Sequence, residues 1–360
     1  MKTNTKAALN IAVPVMVCIS FAGCKKDMLI PKKKTHDLEL QVTAPPVAGD
    51  AYTVSTLVSG LGTDGLLKIQ SPYRICSATN GNLFITAPNS FGAIYKINPD
   101  GILTKLANIH NSYGIKAGEN ETVYVTRIVQ TQMPPSEIGS VVKLDKNNVA
   151  TTIPLSIPLA SPLDLAIAPD STIYIADEYK RCIIKLTKQG VASVFAGKSG
   201  EMGLVDGQGV QARFSYPFAI RYANDGTLWV LDGNGTDKGS QTIRKITLDG
   251  SVTTFFKLKP EENSYINSMA VTKRDKDFNI SPYENAFMFI TSNNGRQQNQ
   301  LFHLGYDKVL TAITGLRPDG FRDGNAGQAA FFSPTGLTVN PNGIFVADLG
   351  NNAIRKIARK

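Results

Sequence analysis

Short apolar runs separated by turn residues recur along most of this chain, and residues 315–360 show the pattern most cleanly. There Leu337-Thr-Val339, Ile344-Phe-Val-Ala347 and Ala353-Ile-Arg-Lys-Ile357 are each of strand length. Asn342-Gly343 between the first two predicts a tight hairpin, because Asn and Gly accept the positive φ such a turn needs. Upstream, Asp319-Gly-Phe-Arg-Asp-Gly-Asn-Ala-Gly-Gln-Ala-Ala-Phe-Phe-Ser-Pro334 is a Gly-rich connection ending in an apolar plug.

The dipeptide that closes the third run serves as a ruler. It recurs as Lys96-Ile97, Lys143-Leu144, Lys185-Leu186, Lys245-Ile246, His303-Leu304 and Lys356-Ile357, which makes six repeats of uneven length. Every copy except the last is followed by a turn, as at Asp100-Gly101 or Asp249-Gly250, and then by a fourth apolar run such as residues 191–196. Six units of four strands predict an all-β, six-bladed propeller. The sixth unit lacks a fourth strand, while Ala51-Tyr-Thr-Val-Ser-Thr-Leu-Val58 stands before the first unit without a partner. Residues 51–58 are therefore expected to complete the last blade, which hides the edge a seam would leave open. One domain over 51–360 follows.

The order Asp-Gly-x-Gly-x-x-Ala-x-Phe-x-x-Pro, then Val-Ala-Asp, then Ile-Arg-Lys-Ile resembles the NHL repeat. Val205-Asp-Gly-Gln-Gly-Val-Gln-Ala-Arg-Phe-Ser-Tyr-Pro217 is complete at these positions, with Leu228-Trp-Val-Leu-Asp232 and Ile243-Arg-Lys-Ile246 behind it. Asp323, Gly324, Ala329, Phe331 and Pro334 keep the same spacing, with Ala326 where the second Gly belongs. The resemblance implies a platform that binds partners on its loop-rich face. Enzymes of similar architecture include a zinc-dependent amidating lyase and calcium-dependent, gluconolactonase-like proteins. His36, His110 and His303 are too scattered for the zinc site of the first.

The N-terminus departs from the repeat pattern. Lys2 and Lys6 precede an apolar stretch, residues 7–19, too short to span a bilayer. Phe21-Ala-Gly-Cys24 then resembles a bacterial lipobox, which implies a signal over 1–23, lipidation of Cys24 and a flexible tether over 24–50. Lys25 and Lys26 follow Cys24, so the Asp that retains lipoproteins at the inner membrane is absent and the outer membrane is the expected address. The net charge of +9 falls to +7 once residues 1–23, with two lysines and no acid, are removed. An exported protein does not meet cytoplasmic RNA, so nucleic acid is excluded as partner and an envelope protein, peptide or glycan is expected. Cys76 and Cys182 lie mid-strand in separate repeats and read as buried free thiols.

Candidate chemistry gathers where fourth-to-first and second-to-third connections meet. Asp348 recurs as Asp177 and Asp232, where its carboxylate is expected to cap backbone amides, while Ala87, Arg127 and Ser292 replace it elsewhere. Arg74, Asp164 and Asn267 open inner strands, and Arg74 with Asp164 reads as a charged pair near the axis, filling the channel as a salt bridge. The candidate ligand residues are thus Arg74, Arg127, Asp164, Asp177, Asp232, Asn267 and Ser292. The loop after Asp232 begins like a calcium loop, but Thr236 and Asp237 depart from it and no bidentate Glu follows. No cofactor is expected, calcium being the one metal the pattern leaves open. No Gly-x-Ser-x-Gly, His-Glu-x-x-His or phosphate loop is present, so no catalytic set is assigned. The reading is an envelope-anchored binding or scaffold module, with a calcium-dependent hydrolase or lyase of the gluconolactonase-like kind as the alternative.

Overall fold

A strand buried on one face alternates apolar and polar residues, whereas a strand buried on both faces does not. The second strands here are of the second kind. Leu83–Ala87, Ile173–Asp177 and Leu228–Asp232 are buried at every position, so each must be sandwiched between two neighbouring sheets. In the computed structural model the described residues are 51–60, 68–132, 135–233, 241–257, 264–272, 286–293, 298–305, 307–314 and 317–360. The signal, Cys24 and the tether lie outside them, as do residues 234–240 of the calcium-like loop.

Six antiparallel sheets form the six blades of an all-β propeller. Blade four runs outward as Pro217–Tyr222, Leu228–Asp232, Thr242–Ile246 and Ser251–Lys257. Its apolar side chains do not meet at one centre. Trp229, Leu231 and Ile243 pack on Ile266, Met269 and Leu304 of blade five, and similar layers lie between other blades. Near the axis the inner strands approach closely enough to exclude a Cβ. One added at Gly336 would lie 2.6 Å from the Tyr73 carbonyl oxygen, and one at Gly114 2.6 Å from the Asp164 Cα.

The ring closes through the N-terminal strand. Tyr52–Ser59 lies antiparallel to Ala353–Arg359, with Tyr52 opposite Arg359 and Ser59 opposite Ala353, and so forms the fourth strand of blade six. The Asp-Gly stretch explains how this strand is held. Before blade six, Gly324–Asn325 adds a short fifth strand outside Tyr52–Ser59, and Gly207–Gln208 does the same outside Ser251–Lys257 of blade four. Asp323 accepts the Thr56 N–H at 2.9 Å and also the Arg355 Nε and Nη2 hydrogens, while Asp206 accepts the Thr254 N–H and one from Arg244. Gly209 stands at φ +51, whereas Ala326 keeps an ordinary negative φ and sends its N–H to the Tyr52 carbonyl. That is why Ala is tolerated where the repeat has Gly.

Cys76 and Cys182 are buried free thiols, and burial pushes them up to about 11 and about 12. Neither is a reactive thiolate at neutral pH.

Two variants of the closure should be informative. Deleting residues 51–58 removes a ladder and an apolar strand face together, and urea unfolding should show a loss of several kcal/mol. Asp348→Ala, which removes one of the two carboxylates paired with the fully buried Arg355 guanidinium, should cost about 1.5–3 kcal/mol in the same assay. A deletion that leaves the unfolding midpoint unchanged would place the seam elsewhere.

Candidate functional site at the mouth of the central channel

Turn aspartates organise the loop-rich end. Asp177 accepts N–H bonds from Ala160, Ser161 and Lys180; Asp232 from Ser215 and Tyr216; Asp348 from Phe332. Each carboxylate thereby ties the end of its second strand to the segment entering its inner strand. Asp232 and Asp348 also pair with Arg244 at 3.1 Å and Arg355 at 2.8 Å. Burial raises the Asp232 carboxyl to about 6, against the opposing pull of Arg244 and the two amides.

A second set of polar contacts stitches neighbouring blades around the axis. Thr86 donates to the Tyr113 carbonyl between blades one and two. Gln241 exchanges two hydrogen bonds with the Ile266 backbone between blades four and five. The Asn267 side chain donates to the Pro334 carbonyl between blades five and six, and Thr335 donates to the Tyr73 carbonyl between six and one. Arg74 spans further, its Nη1 donating to Asn267 and Thr335 carbonyls at 2.6 Å each.

Asp164 finds a partner other than Arg74. Its carboxylate bonds the Arg221 guanidinium and accepts the Leu165 and Ile220 N–H groups. Burial alone would raise this carboxyl, but Arg221, Lys116 and Arg74 outweigh it and hold it below the usual range. Arg221 and Lys116 stand two residues beyond Ala219 and Gly114 on their inner strands. A charge inside an otherwise apolar inner strand is the signal that identifies them, and a reading confined to strand starts passes them by. Lys116 is lowered to about 8, chiefly by burial and then by Arg221.

These contacts leave a cavity of about 220 Å³ at the mouth, walled by Tyr73, Arg74, Glu178, Tyr216, Phe218 and Asn267 among others. Of the seven sequence candidates, Arg74 and Asn267 line it. Asp164 is buried in the channel wall, and Asp177 and Asp232 are turned into their own blades. Arg127 lies opposite Ser112 at the same end, with a buried Nε that has no hydrogen-bond partner among the described residues. Ser292 stands opposite Tyr265 in the ladder of blade five, and its side chain lies outside the described residues. Glu178, Tyr216, Gln241 and Thr335 complete the mouth, and none of them is among the seven candidates. Two exposed aromatics stand at the same end, Phe91 (81% exposed) and Tyr179 (69%), on second-to-third turns. A wider groove of about 830 Å³ opens at the other end, but its charges are exposed, Glu119 and Lys188 on turns and Lys143 on a strand.

Calcium does not fit the described carboxylates. The oxygens of Asp164 and Asp232 are engaged by arginines and backbone N–H groups. Among the described residues no three His, Cys, Asp or Glu side chains converge.

No protein-family model matches the chain, and no curated protein matches it either. Solved structures do. An auxiliary nutrient binding protein from Bacteroides ovatus is 14% identical with a TM-score of 0.62, over 86% of this chain and 77% of that one. A virginiamycin B lyase from Staphylococcus aureus is 13% identical with a TM-score of 0.52, over 86% and 100%. A gluconolactonase from Xanthomonas campestris is 11% identical with a TM-score of 0.53, over 85% and 89%. At these identities the likeness is one of fold.

The Asp164–Arg221 pair makes a pH test. In the unfolded chain the carboxyl titrates near pH ~3.9. Its folded value is lower, so its stabilisation is present above that pH and is lost as pH falls through the folded value. Asp164→Asn should cost about 3–5 kcal/mol at neutral pH, because Arg221 is left buried and unpaired. The gap to the unmodified protein should narrow in unfolding curves taken below pH ~4. A gap that widens on acidification would contradict the assignment.

Proposed function

We propose that this chain is an envelope-anchored propeller of the NHL kind that serves as a binding or scaffold module for a protein, peptide or glycan. The observation that carries this reading is the loop-rich end, where a small aromatic cavity opens and Phe91 and Tyr179 stand exposed on turns of the same end. The company of a nutrient-binding propeller from Bacteroides ovatus is in keeping with it.

In this reading residues 1–23 direct export, Cys24 carries the lipid, and residues 24–50 are the tether. Tyr52 enters blade six opposite Arg359, at the end of the blade away from Asp348 and the mouth. Attachment from that side leaves the mouth open to a partner. Among the described residues no helix is long and apolar enough to cross a membrane. The hydrolase or lyase alternative has less support, because its candidate carboxylates already hold arginines.

Two measurements test the proposal. Cys24→Ser should move the full-length protein from the membrane fraction to the soluble fraction with an unchanged melting temperature; a variant that stays in the pellet overturns the anchor. The Phe91→Ala/Tyr179→Ala double variant should lose about tenfold or more in binding to isolated envelope protein and polysaccharide fractions. Leu248→Ala, exposed on a turn at the opposite end, should bind as the unmodified protein does. Equal loss in both variants, or none in either, would remove the loop-rich face from the account.

A further inference from the structure

Arg74 is 6% exposed and lines the mouth cavity, yet no carboxylate among the described residues lies within ion-pair distance of it. Its Nη1 hydrogens go to two carbonyl oxygens, and its Nε has no hydrogen-bond partner. The only described carboxylate among the channel charges, Asp164, is bonded to Arg221. Three cations, Arg74, Lys116 and Arg221, thus stand against two acids, Asp164 in the channel and Glu178 at the cavity, and a buried excess of positive charge is costly unless an anion joins it.

The cavity adds shape to this charge. About 220 Å³ is below the roughly 300–1,000 Å³ of sites for drug-sized ligands, and it matches a single ring. Tyr73 and Tyr216 are held in place, the first beneath the Arg74 guanidinium at 5.0 Å and edge-on to Tyr113, the second beneath Arg181 at 4.6 Å. Phe218 adds a third aromatic wall. Glu178 lines the same cavity, where a purely anionic ligand with no donor would be repelled. It already accepts the Ser161 hydroxyl, an arrangement that a ligand hydroxyl can share.

We infer that the mouth cavity binds an acidic sugar residue, its carboxylate on Arg74, its ring against Tyr73, Tyr216 and Phe218, and a hydroxyl toward Glu178. This rests on the binding-module reading and names the ligand class of that site.

Calorimetry on the full chain in detergent, with glucuronate as the probe, tests it. Glucuronate should bind saturably and weaken with added salt, while glucose and acetate bind at least about tenfold more weakly. Arg74→Gln should lose about tenfold or more in glucuronate affinity, with Arg74→Lys recovering part of it. Because Arg74 also joins blades, Glu178→Gln supplies a variant that keeps the fold. Removing that negative charge should favour glucuronate over glucose by several-fold more than in the unmodified protein. Glucose, acetate or phenylalanine binding as tightly as glucuronate would overturn the inference, as would affinities insensitive to both Arg74→Gln and Glu178→Gln. Absence of glucuronate binding, with capture of envelope material still dependent on Phe91 and Tyr179, would discard the acidic sugar and leave the binding module standing.

Discussion

The structure depends on a guanidinium buried without any contact with water. Arg355 lies between the rings of Phe321 and Phe331 and bonds Asp323, Asp348 and the carbonyls of Arg322 and Ala330. A buried ion pair of this kind adds little net stability over an apolar packing of the same volume, but it fixes which groups must meet. Here it gathers the second strand, the third strand and the Asp-Gly stretch of blade six at one point. Asp323 then takes the Thr56 N–H, so the same cluster fixes the N-terminal strand. Arg244 repeats the arrangement in blade four with Asp206, Asp232 and Phe214. The difference is one hydrogen: Arg244 Nε lacks a partner, whereas Arg355 Nε has Asp323. The better-satisfied copy is at the seam, where no continuous chain joins outer strand to blade.

Much of the polar chemistry at the mouth goes into holding blades together. Gln241, Asn267 and Thr335 each meet the backbone of the adjacent blade, and the turn aspartates cap amides within their own. A residue so committed cannot turn toward a ligand without loosening an interface between blades. The charges that face the one small aromatic cavity are a cation, Arg74, and an acid, Glu178. Function is confined to what the scaffold leaves over.

The blades were legible in the sequence because their signals are local. The ruler dipeptide, the Gly turns and the repeated Asp each act within one repeat, and the unpartnered run at 51–58 announced the closure by its match to other fourth strands. The mouth was half legible. Arg74 and Asn267 were found by their places at strand starts, yet their partners come from blades far away in sequence: Arg74 reaches Asn267 and Thr335 across more than half the chain. The Arg74–Asp164 pairing failed for the same reason. Both residues sit at matching positions, but Arg74 turns to carbonyls of blades five and six, and the neighbour of Asp164 is blade four, which brings Arg221.

Departures from the repeat carry the remaining information. In blades three, four and six an Asp at the end of the second strand accepts amides of the segment that enters the inner strand. Blade one has Ala87 in that place, and Ser90 takes over by donating its hydroxyl to the Gln70 carbonyl, three residues further round the turn. Phe91 and Gly92 both adopt positive φ, at +56 and +70, so that the chain can return to Ala93. The aromatic ring is thereby carried out into solvent instead of down between blades. Positive φ is not peculiar to this turn, since Arg181 and Asn352 take it in the Asp-bearing turns of blades three and six; what blade one adds is a bulky apolar ring, exposed, where a Gly would make the same turn without strain.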